Sequence, residues 1–285
     1  MFVITGITGQ VGSTLARNLL AQEHEVRAVV RDATKGNIWR EQGCEVVVAD
    51  MYDQQSLSRA FTGAEAVFIL LPPNFDPSPD FSESCAIIAN IFAALQESNP
   101  KKVVCLSTIG AQATQRNLLS QLSEMESRLS HVSMPIAFLR AAWFMENSVW
   151  DIVPARDQKV LHSLLQPLDK AFPMVATADV GRTAAQMMLE QWDGVRLVEL
   201  EGPHRVTPLQ IADSLGRLLG VKVQAQSVPR NTWESMFRDQ GMNNPLPRIQ
   251  MLDGFNEGWI EFAGSPQRGT VELDTVLRGL VERLG

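Results

Sequence analysis

The stretch Phe2-Val3-Ile4-Thr5-Gly6-Ile7-Thr8-Gly9-Gln10-Val11-Gly12 decides how the rest of the chain is read. An apolar run leads into three glycines spaced three apart, and Val11, Leu15, Ala16, Leu19 and Leu20 continue as an apolar stripe at helical period. Strand, glycine turn and helix in this order form a receptacle for a dinucleotide pyrophosphate. One glycine permits the tight turn, another lets the backbone approach the phosphates, and a third lets helix and strand pack closely. The helix start adds unpaired N–H groups and the positive end of its dipole. Gly6, Thr8, Gly9, Gln10, Val11 and Gly12 are therefore candidate cofactor residues; a purely structural turn is the alternative.

Working outward, residues 26–30, 44–49, 66–71, 103–106 and 136–139 read as further apolar strands. Helix-forming segments alternate with them. Asp53 is a plausible N-cap for a helix carrying Leu57, Ala60 and Phe61, and a longer helix runs through Ile87, Ile88, Ile91, Phe92 and Leu95 to end before Pro100. Continuous apolar strands alternating with helices predict an α/β fold, a doubly wound parallel Rossmann sheet covered on both faces. Residues 1–142 are assigned to it. The rhythm then lapses. A helix over 179–192, a strand over 195–200, a helix opened by the capping box Thr207-Pro208-Leu209-Gln210 and stopped at Gly220, a strand over 221–226 and a helix from Asn231 follow. Residues 143–285 are expected to form a smaller C-terminal α/β substrate lobe, with about 176–200 returning to the main sheet. The breaker-rich loop 72–79 sits at the carboxyl end of the fourth strand, where such sheets place their ligand crevice. It either covers the cofactor or is a plain surface loop.

The end of the second strand bears on which nicotinamide cofactor is taken. An acidic residue there binds the ribose 2′-OH, and an arginine accommodates a 2′-phosphate. Arg31 follows Val29-Val30 directly, with Asp32 after it and Lys35 nearby, which favours NADP (NADPH) over NAD. Asp50-Met51 closes the third strand, where the adenine would lie. Leu71-Pro72 and Ser107-Thr108 close the fourth and fifth and would border the nicotinamide. Asp50 serves equally well as a plain turn cap.

Bulk properties narrow the partners. A net charge of −7 argues against non-specific nucleic-acid binding and against an anionic membrane surface. Cys44, Cys85 and Cys105 are an odd number without short-range pairing, which fits a reducing, cytoplasmic setting. No signal peptide and no transmembrane run is evident. His24, His162 and His204 are scattered and show no metal spacing, so no metal is expected.

These residues together resemble the NmrA-like group of atypical short-chain dehydrogenase/reductases along nearly the whole chain. The likeness is carried by Gly6-Ile7-Thr8-Gly9-Gln10-Val11-Gly12, Val30-Arg31-Asp32, Asp50, Leu139-Arg140-Ala141-Ala142-Trp143-Phe144-Met145-Glu146-Asn147, Ala178-Asp179-Val180-Gly181-Arg182-Thr183-Ala184, and Glu201-Gly202-Pro203 ahead of Thr207. The resemblance implies an NAD(P)-binding Rossmann domain and a C-terminal substrate lobe. It spans NADPH-dependent reductases of quinones, dyes and related electrophiles, and sensors that bind the dinucleotide without turnover. Glu126 matches a glutamate common in the group, while apolar Leu122 replaces a basic residue some members carry a turn earlier.

The Tyr-x-x-x-Lys pair of the wider superfamily is missing. The sole tyrosine is Tyr52, on the adenine side, and residues 112–131 contain no lysine. Tyrosine-activated alcohol oxidation and sugar-nucleotide epimerisation are thereby disfavoured. His131 lies at the expected end of that helix, where an imidazolium serves the helix dipole. Quinones and conjugated dyes accept hydride readily, so orientation over the nicotinamide suffices for them. Ser107, Thr108 and Asn147 are candidate orienting groups. Trp143, Phe144 and Met145, with Trp150, either wall a pocket for a flat electrophile or form core between the lobes. The same two roles are open to Trp233, Met236, Phe237, Phe255, Trp259 and Phe262. The expected function is an NAD(P)H-dependent reductase of quinone-like or other small electrophiles. The alternative is a non-catalytic redox sensor acting through a protein partner.

Overall fold

Runs of apolar residues too long to alternate with polar ones must be covered on both faces, and they form the centre of the molecule. The computed structural model describes residues 1–284. Along the first half, β1 (Phe2–Ile4), α1 (Gln10–Leu20), β2 (Val26–Val30), α2 (Ala33–Glu41), β3 (Glu45–Val48) and α3 (Gln54–Phe61) alternate. They are followed by β4 (Ala66–Leu70), α4 (Ser82–Ser98), β5 (Val103–Thr108), α5 (Ser120–Leu129) and β6 (Ile136–Ala141). The chain then forms β7 (Trp143–Phe144), a 3-10 segment over Met145–Asp151, α6 (Ile152–Asp157), β8 (Val160–Ser163) and β9 (Met174–Val175). After α7 (Thr177–Leu189) and β10 (Val195–Glu201) come α8 (Pro208–Leu219), β11 (Gln224–Ser227), α9 (Trp233–Asp239) and α10 (Leu246–Glu257). β12 (Gln267–Arg268) and α11 (Leu273–Leu284) complete the described chain.

Eight strands form one sheet in the order β12-β10-β6-β5-β4-β1-β2-β3, with every pairing parallel. The chain reverses its winding between β1 and β4. This is the switch point outside which doubly wound sheets bind their ligands. The expected α/β Rossmann sheet is what forms. Val3, Val29, Val67 and Ile69 face one way, onto Leu57, Phe61, Ile88, Ile91 and Met125. Ile4, Phe68, Val104 and Leu139 face the other, onto Leu15, Leu19, Val180 and Met188, and this second core runs on into Phe172, Trp233, Phe237 and Phe255.

Helices α1 and α7 approach closely because Gly181 carries no side chain; a Cβ there would lie 2.6 Å from Thr14 Cβ and 2.8 Å from the Val11 carbonyl oxygen. Two residues earlier, the buried Asp179 carboxylate accepts from Thr270 N at 3.1 Å and Val271 N at 2.9 Å and pairs with Arg182. This clasp anchors the chain where it leaves β12. A side chain on Gly269 would collide with it.

Several expectations need correcting. The strand expected over 221–226 is shifted to Gln224–Ser227, and its partner β8 gave no signal of its own. β7 pairs with β9 in another two-stranded sheet. The helical part of 112–131 is only Ser120–Leu129, so His131 stands beyond it, with Nδ1 2.9 Å from the Ser127 carbonyl oxygen. β5, expected over 103–106, runs on through Ser107 and Thr108, which close it. No described helix is long and apolar enough to cross a membrane.

Candidate functional site

The three glycines of the opening motif do three different jobs. Gly6 takes φ +64°, a left-handed turn that L-residues rarely adopt. Thr5 fixes the strand end just before it: its hydroxyl donates to the Phe68 carbonyl at 3.0 Å and accepts from Leu70 N at 2.9 Å. A Cβ on Gly12 would run into the Gly6 carbonyl and lie 2.8 Å from Ile7 Cα, so only glycine lets α1 seat on the turn. At Gly9 a Cβ would touch only the Gly6 carbonyl oxygen, at 3.3 Å, and otherwise point into open space. Gly9 is also the N-cap of α1 and provides no side-chain cap; no acid occupies the first turn. By contrast α2, α3 and α8 are capped by Asp32, Asp53 and Thr207. The start of α1 thus keeps its N–H groups and dipole for an external anion, and a glycine-lined cradle stands over them. These residues fit a dinucleotide pyrophosphate.

At the end of β2, Arg31 is exposed and has no hydrogen-bond or ion-pair partner among the described residues. Asp32 is engaged locally. Its Oδ1 accepts from Thr34 N at 2.9 Å and Thr34 Oγ1 at 2.7 Å, bonds that hold its carboxyl below the usual aspartate range. Lys35 lies exposed in the first turn of α2. Asp50 Oδ1 accepts from Tyr52 N at 3.0 Å, a tight Asx turn. Met51 is buried, its carbonyl accepting from Asn90 Nδ2 at 3.2 Å, and Tyr52 is 61% exposed.

Beside the glycine turn lies a cleft of about 280 Å³, floored by Gln10 and Val11 and walled by Leu70, Leu106, Phe144 and Val149. Glu146, Asn147 and Thr177 supply its polar groups. Gln10, Val11, Phe144 and Asn147 of the expected residues are brought together here. The strand ends contribute Leu70 and Leu106, while Leu71 turns to the opposite core and Pro72 starts the loop beyond. Ser107 and Thr108 are buried. Trp143 meets Phe255 edge-on, ring centroids 5.3 Å apart, and Met145 is buried. Trp150 does not join the wall: it is 82% exposed, because the 3-10 segment turns it outward.

Glu146 escaped sequence reasoning, although it lies inside the Trp143–Asn147 segment. Its carboxylate accepts from Thr177 N at 2.9 and 3.0 Å and from Thr177 Oγ1 at 2.6 Å, which caps α7 from a distance. Thr177 Oγ1 is also 3.0 Å from Gln10 Oε1, so the starts of α1 and α7 and the 3-10 segment are locked together. The start of α1 has no side-chain cap of this kind. Glu126 is equally committed. It takes a two-point contact from Arg140, Nε at 2.9 Å and Nη2 at 2.6 Å, and the Ser107 hydroxyl at 2.5 Å. Glu199 and the exposed Gln112 also contact Arg140, and Glu126 raises the Arg140 pKa. No signal along the chain could have paired Arg140 with Glu126, because a strand and a helix have to dock first.

The loop after β4 is strapped to the C-terminal lobe. Asp76 accepts from Asn243 N and Nδ2, both at 2.9 Å, and from Asn244 N at 2.7 Å, and these bonds lower its pKa. Gln121 Nε2 donates to the carbonyls of Asn74, 3.0 Å, and Leu118, 3.1 Å, while Leu118 N donates to the Pro247 carbonyl at 2.9 Å. The loop after β4 is therefore tied to residues 243–244, which precede α10.

A doubly wound sheet with an open glycine cradle at its switch point defines an NAD(P)-binding Rossmann protein. The chain belongs to the NmrA-like family, whose model matches residues 1–263. It is 23% identical to quinone oxidoreductase 2 of Escherichia coli (strain K12), covering 86% of this chain and 84% of that one. It is 21% identical to the NAD(P)H azoreductase of Xenophilus azovorans, covering 90% and 85%. Among solved structures, the triphenylmethane reductase of Citrobacter sp. complexed with NADP(H) superposes with a TM-score of 0.80 at 20% identity, covering 98% of this chain and 99% of that one. NmrA, a negative transcriptional regulator in complex with NAD, superposes with a TM-score of 0.73 at 17% identity, covering 99% and 96%.

Proposed function

We propose that this protein is an NAD(P)H-dependent reductase of quinone-like or other small, flat electrophiles, with NADPH favoured over NADH. The observation that carries this reading is the apolar cleft placed against the phosphate cradle. Leu70, Leu106 and Phe144 form an apolar wall beside Gln10 and Val11, where the nicotinamide half of a dinucleotide held by α1 would reach. The relatives named for quinone and azo reduction support it, as does the NADP(H)-bound neighbour.

When bound, the dinucleotide supplies a hydride. A quinone takes that hydride and one proton to become a hydroquinone. The chain's own contribution is positional. Glu146 and Thr177 are spent on each other, Glu126 is spent on Arg140, and no Tyr-x-x-x-Lys pair exists, so the proton comes from solvent. Asn147 at the mouth orients the acceptor carbonyl, and Phe144 lies against its ring. This suits acceptors that are already electron-poor, for which orientation removes much of the barrier. NADPH preference rests on Arg31, free at the end of β2, while Asp32 is occupied in capping α2.

The test is loss of nicotinamide absorbance with NADPH against a panel of quinones and azo dyes, run beside calorimetric binding of NADPH. Turnover supports the reductase. Tight binding without turnover of any acceptor favours the second reading, a redox sensor, which the missing pair and the NAD-bound regulator among the neighbours support.

A further inference from the structure

Four residues give the cleft its polar groups: Gln10, Glu146, Asn147 and Thr177. Three of them form one hydrogen-bonded chain whose direction decides what the cleft offers a ligand. Gln10, the first residue of α1, is exposed, and its amide lies 3.0 Å from the Thr177 hydroxyl oxygen. That hydroxyl carries a single proton. Two acceptors compete for it, Gln10 Oε1 at 3.0 Å and the Glu146 carboxylate at 2.6 Å. The carboxylate is nearer and, as an anion, the stronger acceptor. It is also fixed in place, because both of its oxygens accept from Thr177 N, at 2.9 and 3.0 Å. The proton therefore goes to Glu146.

An amide oxygen turned to Thr177 would then set lone pair against lone pair. A half-turn of the last side-chain bond exchanges the two ends of an amide, and the surrounding hydrogen bonds decide between them. After that turn Gln10 Nε2 donates to Thr177 Oγ1, Thr177 Oγ1 donates to Glu146, and every donor meets an acceptor. Gln10 Oε1 is left facing away from Thr177, on the side of the cleft that Gln10 lines. No described residue other than Thr177 contacts this amide through a hydrogen bond. The lining beside it, Val11, Leu70, Leu106 and Phe144, is apolar. A lone carbonyl acceptor in such surroundings selects a ligand that brings an N–H or O–H donor.

We propose that Gln10 Oε1 accepts a hydrogen bond from the carboxamide N–H of the nicotinamide, and so sets which way that ring is turned in the cleft. This rests on the part of the functional reading that puts the nicotinamide half there, and it does not require turnover. A quinone has no donor to offer, whereas the carboxamide has two. Gln10 thereby holds the dinucleotide at two points. Its backbone N–H is one of the unpaired groups at the start of α1, and its side chain reaches the ring. Thr177 and Glu146 act through it as positioning residues.

The test is calorimetric titration of three ligands into the wild type and Gln10→Met, which keeps the side chain's length and removes its amide. The ligands are NADPH, its acetylpyridine analogue, in which a methyl replaces the carboxamide nitrogen, and 2′-phospho-ADP-ribose, which has no nicotinamide. The wild type should bind NADPH about three- to tenfold more tightly than the analogue, the scale of one neutral hydrogen bond. Gln10→Met should lose that margin and bind the two alike, and 2′-phospho-ADP-ribose should bind both proteins equally. A wild type that does not distinguish NADPH from the analogue overturns the proposal without need of the variant. So does a variant that keeps the margin, or a loss shared by 2′-phospho-ADP-ribose, which would place the effect at the helix start. If the wild type shows the margin and Gln10→Met abolishes it while no acceptor is reduced, the reductase reading fails and the Gln10 contact stands. If the wild type binds no NADPH, both fall.

Discussion

Gly9 and Gly12 lie three residues apart in one motif, and the structure predicts that replacing each by alanine separates binding from stability. At Gly12 the added methyl meets backbone: the Gly6 carbonyl group and Ile7 Cα at 2.8 Å. Backbone cannot rotate aside, so α1 has to lift from the turn. Overpacking of this kind costs about 1–3 kcal/mol, offset by ~0.5–1 kcal/mol from alanine's better helix propensity. The net expectation for Gly12→Ala is a loss of roughly 1–2 kcal/mol in urea unfolding with an unchanged m-value. At Gly9 the backbone is extended, φ −86° and ψ 172°, which alanine adopts freely, and the methyl has open space around it. Gly9→Ala should therefore unfold like the wild type. Its methyl, however, occupies the approach of the pyrophosphate to the first-turn N–H groups. Losing one or two charged hydrogen bonds of about 1.5–3 kcal/mol each weakens NADPH binding by at least ~tenfold. Calorimetry and urea titration on both variants make the comparison. Gly9→Ala binding NADPH as tightly as wild type would refute the phosphate position, and Gly12→Ala at full stability would refute the packing account.

Arg31→Ala should weaken NADPH binding about 10- to 100-fold and leave NADH nearly untouched in parallel calorimetric titrations, since only the former carries the 2′-phosphate. Arg140→Met leaves the Glu126 carboxylate buried without its cation and should destabilise by about 3–5 kcal/mol; the double replacement Arg140→Met/Glu126→Met should recover most of that in urea unfolding. Burial pushes the Asp151 carboxyl up to about 7. An unfolded aspartate titrates near about 4, so the folded state keeps a proton that the unfolded chain releases, and stability falls as pH rises from about 4 to 7. Asp151→Asn should match the wild type in thermal unfolding below that window and exceed it above. Asp76→Ala removes the acceptor of three N–H groups, and amide exchange should quicken across 73–80 and 242–244 while NADPH binding is retained.

The main sheet was legible because its strands are written as unbroken apolar runs, such as Ala66-Val67-Phe68-Ile69-Leu70, set between helices with caps and glycine stops. The strands of the lobe were not. Val160-Leu161-His162-Ser163 and Gln224-Ala225-Gln226-Ser227 mix polar and apolar residues without a period, and each is a strand only because the other lies beside it. The site divided in the same way. The glycine turn is local and carries its meaning in its spacing. Glu146 and Asp76 act through partners distant in sequence. Asp76 meets Asn243 across 167 positions, and neither side announces the other. Phe237, Phe255 and Trp233, whose roles were open, are buried in the lobe's core.

The pairing of β12 with β10 has an architectural consequence. The chain departs from β10 at Glu201 and comes home at Gln267 one strand over, where the Glu201 carbonyl accepts from Gly269 N at 2.7 Å and the Asp179 clasp receives it. Entry and exit stand about 5 Å apart, the spacing of neighbouring strands. The excursion is thus a closed handle soldered to the sheet at both ends: it can tilt over the crevice but cannot swing clear of it. Because the entropy of closing such a loop grows only logarithmically with its length, residues can be added or lost between those ends at little cost to the sheet. One dinucleotide scaffold can in this way carry many differently shaped acceptor chambers.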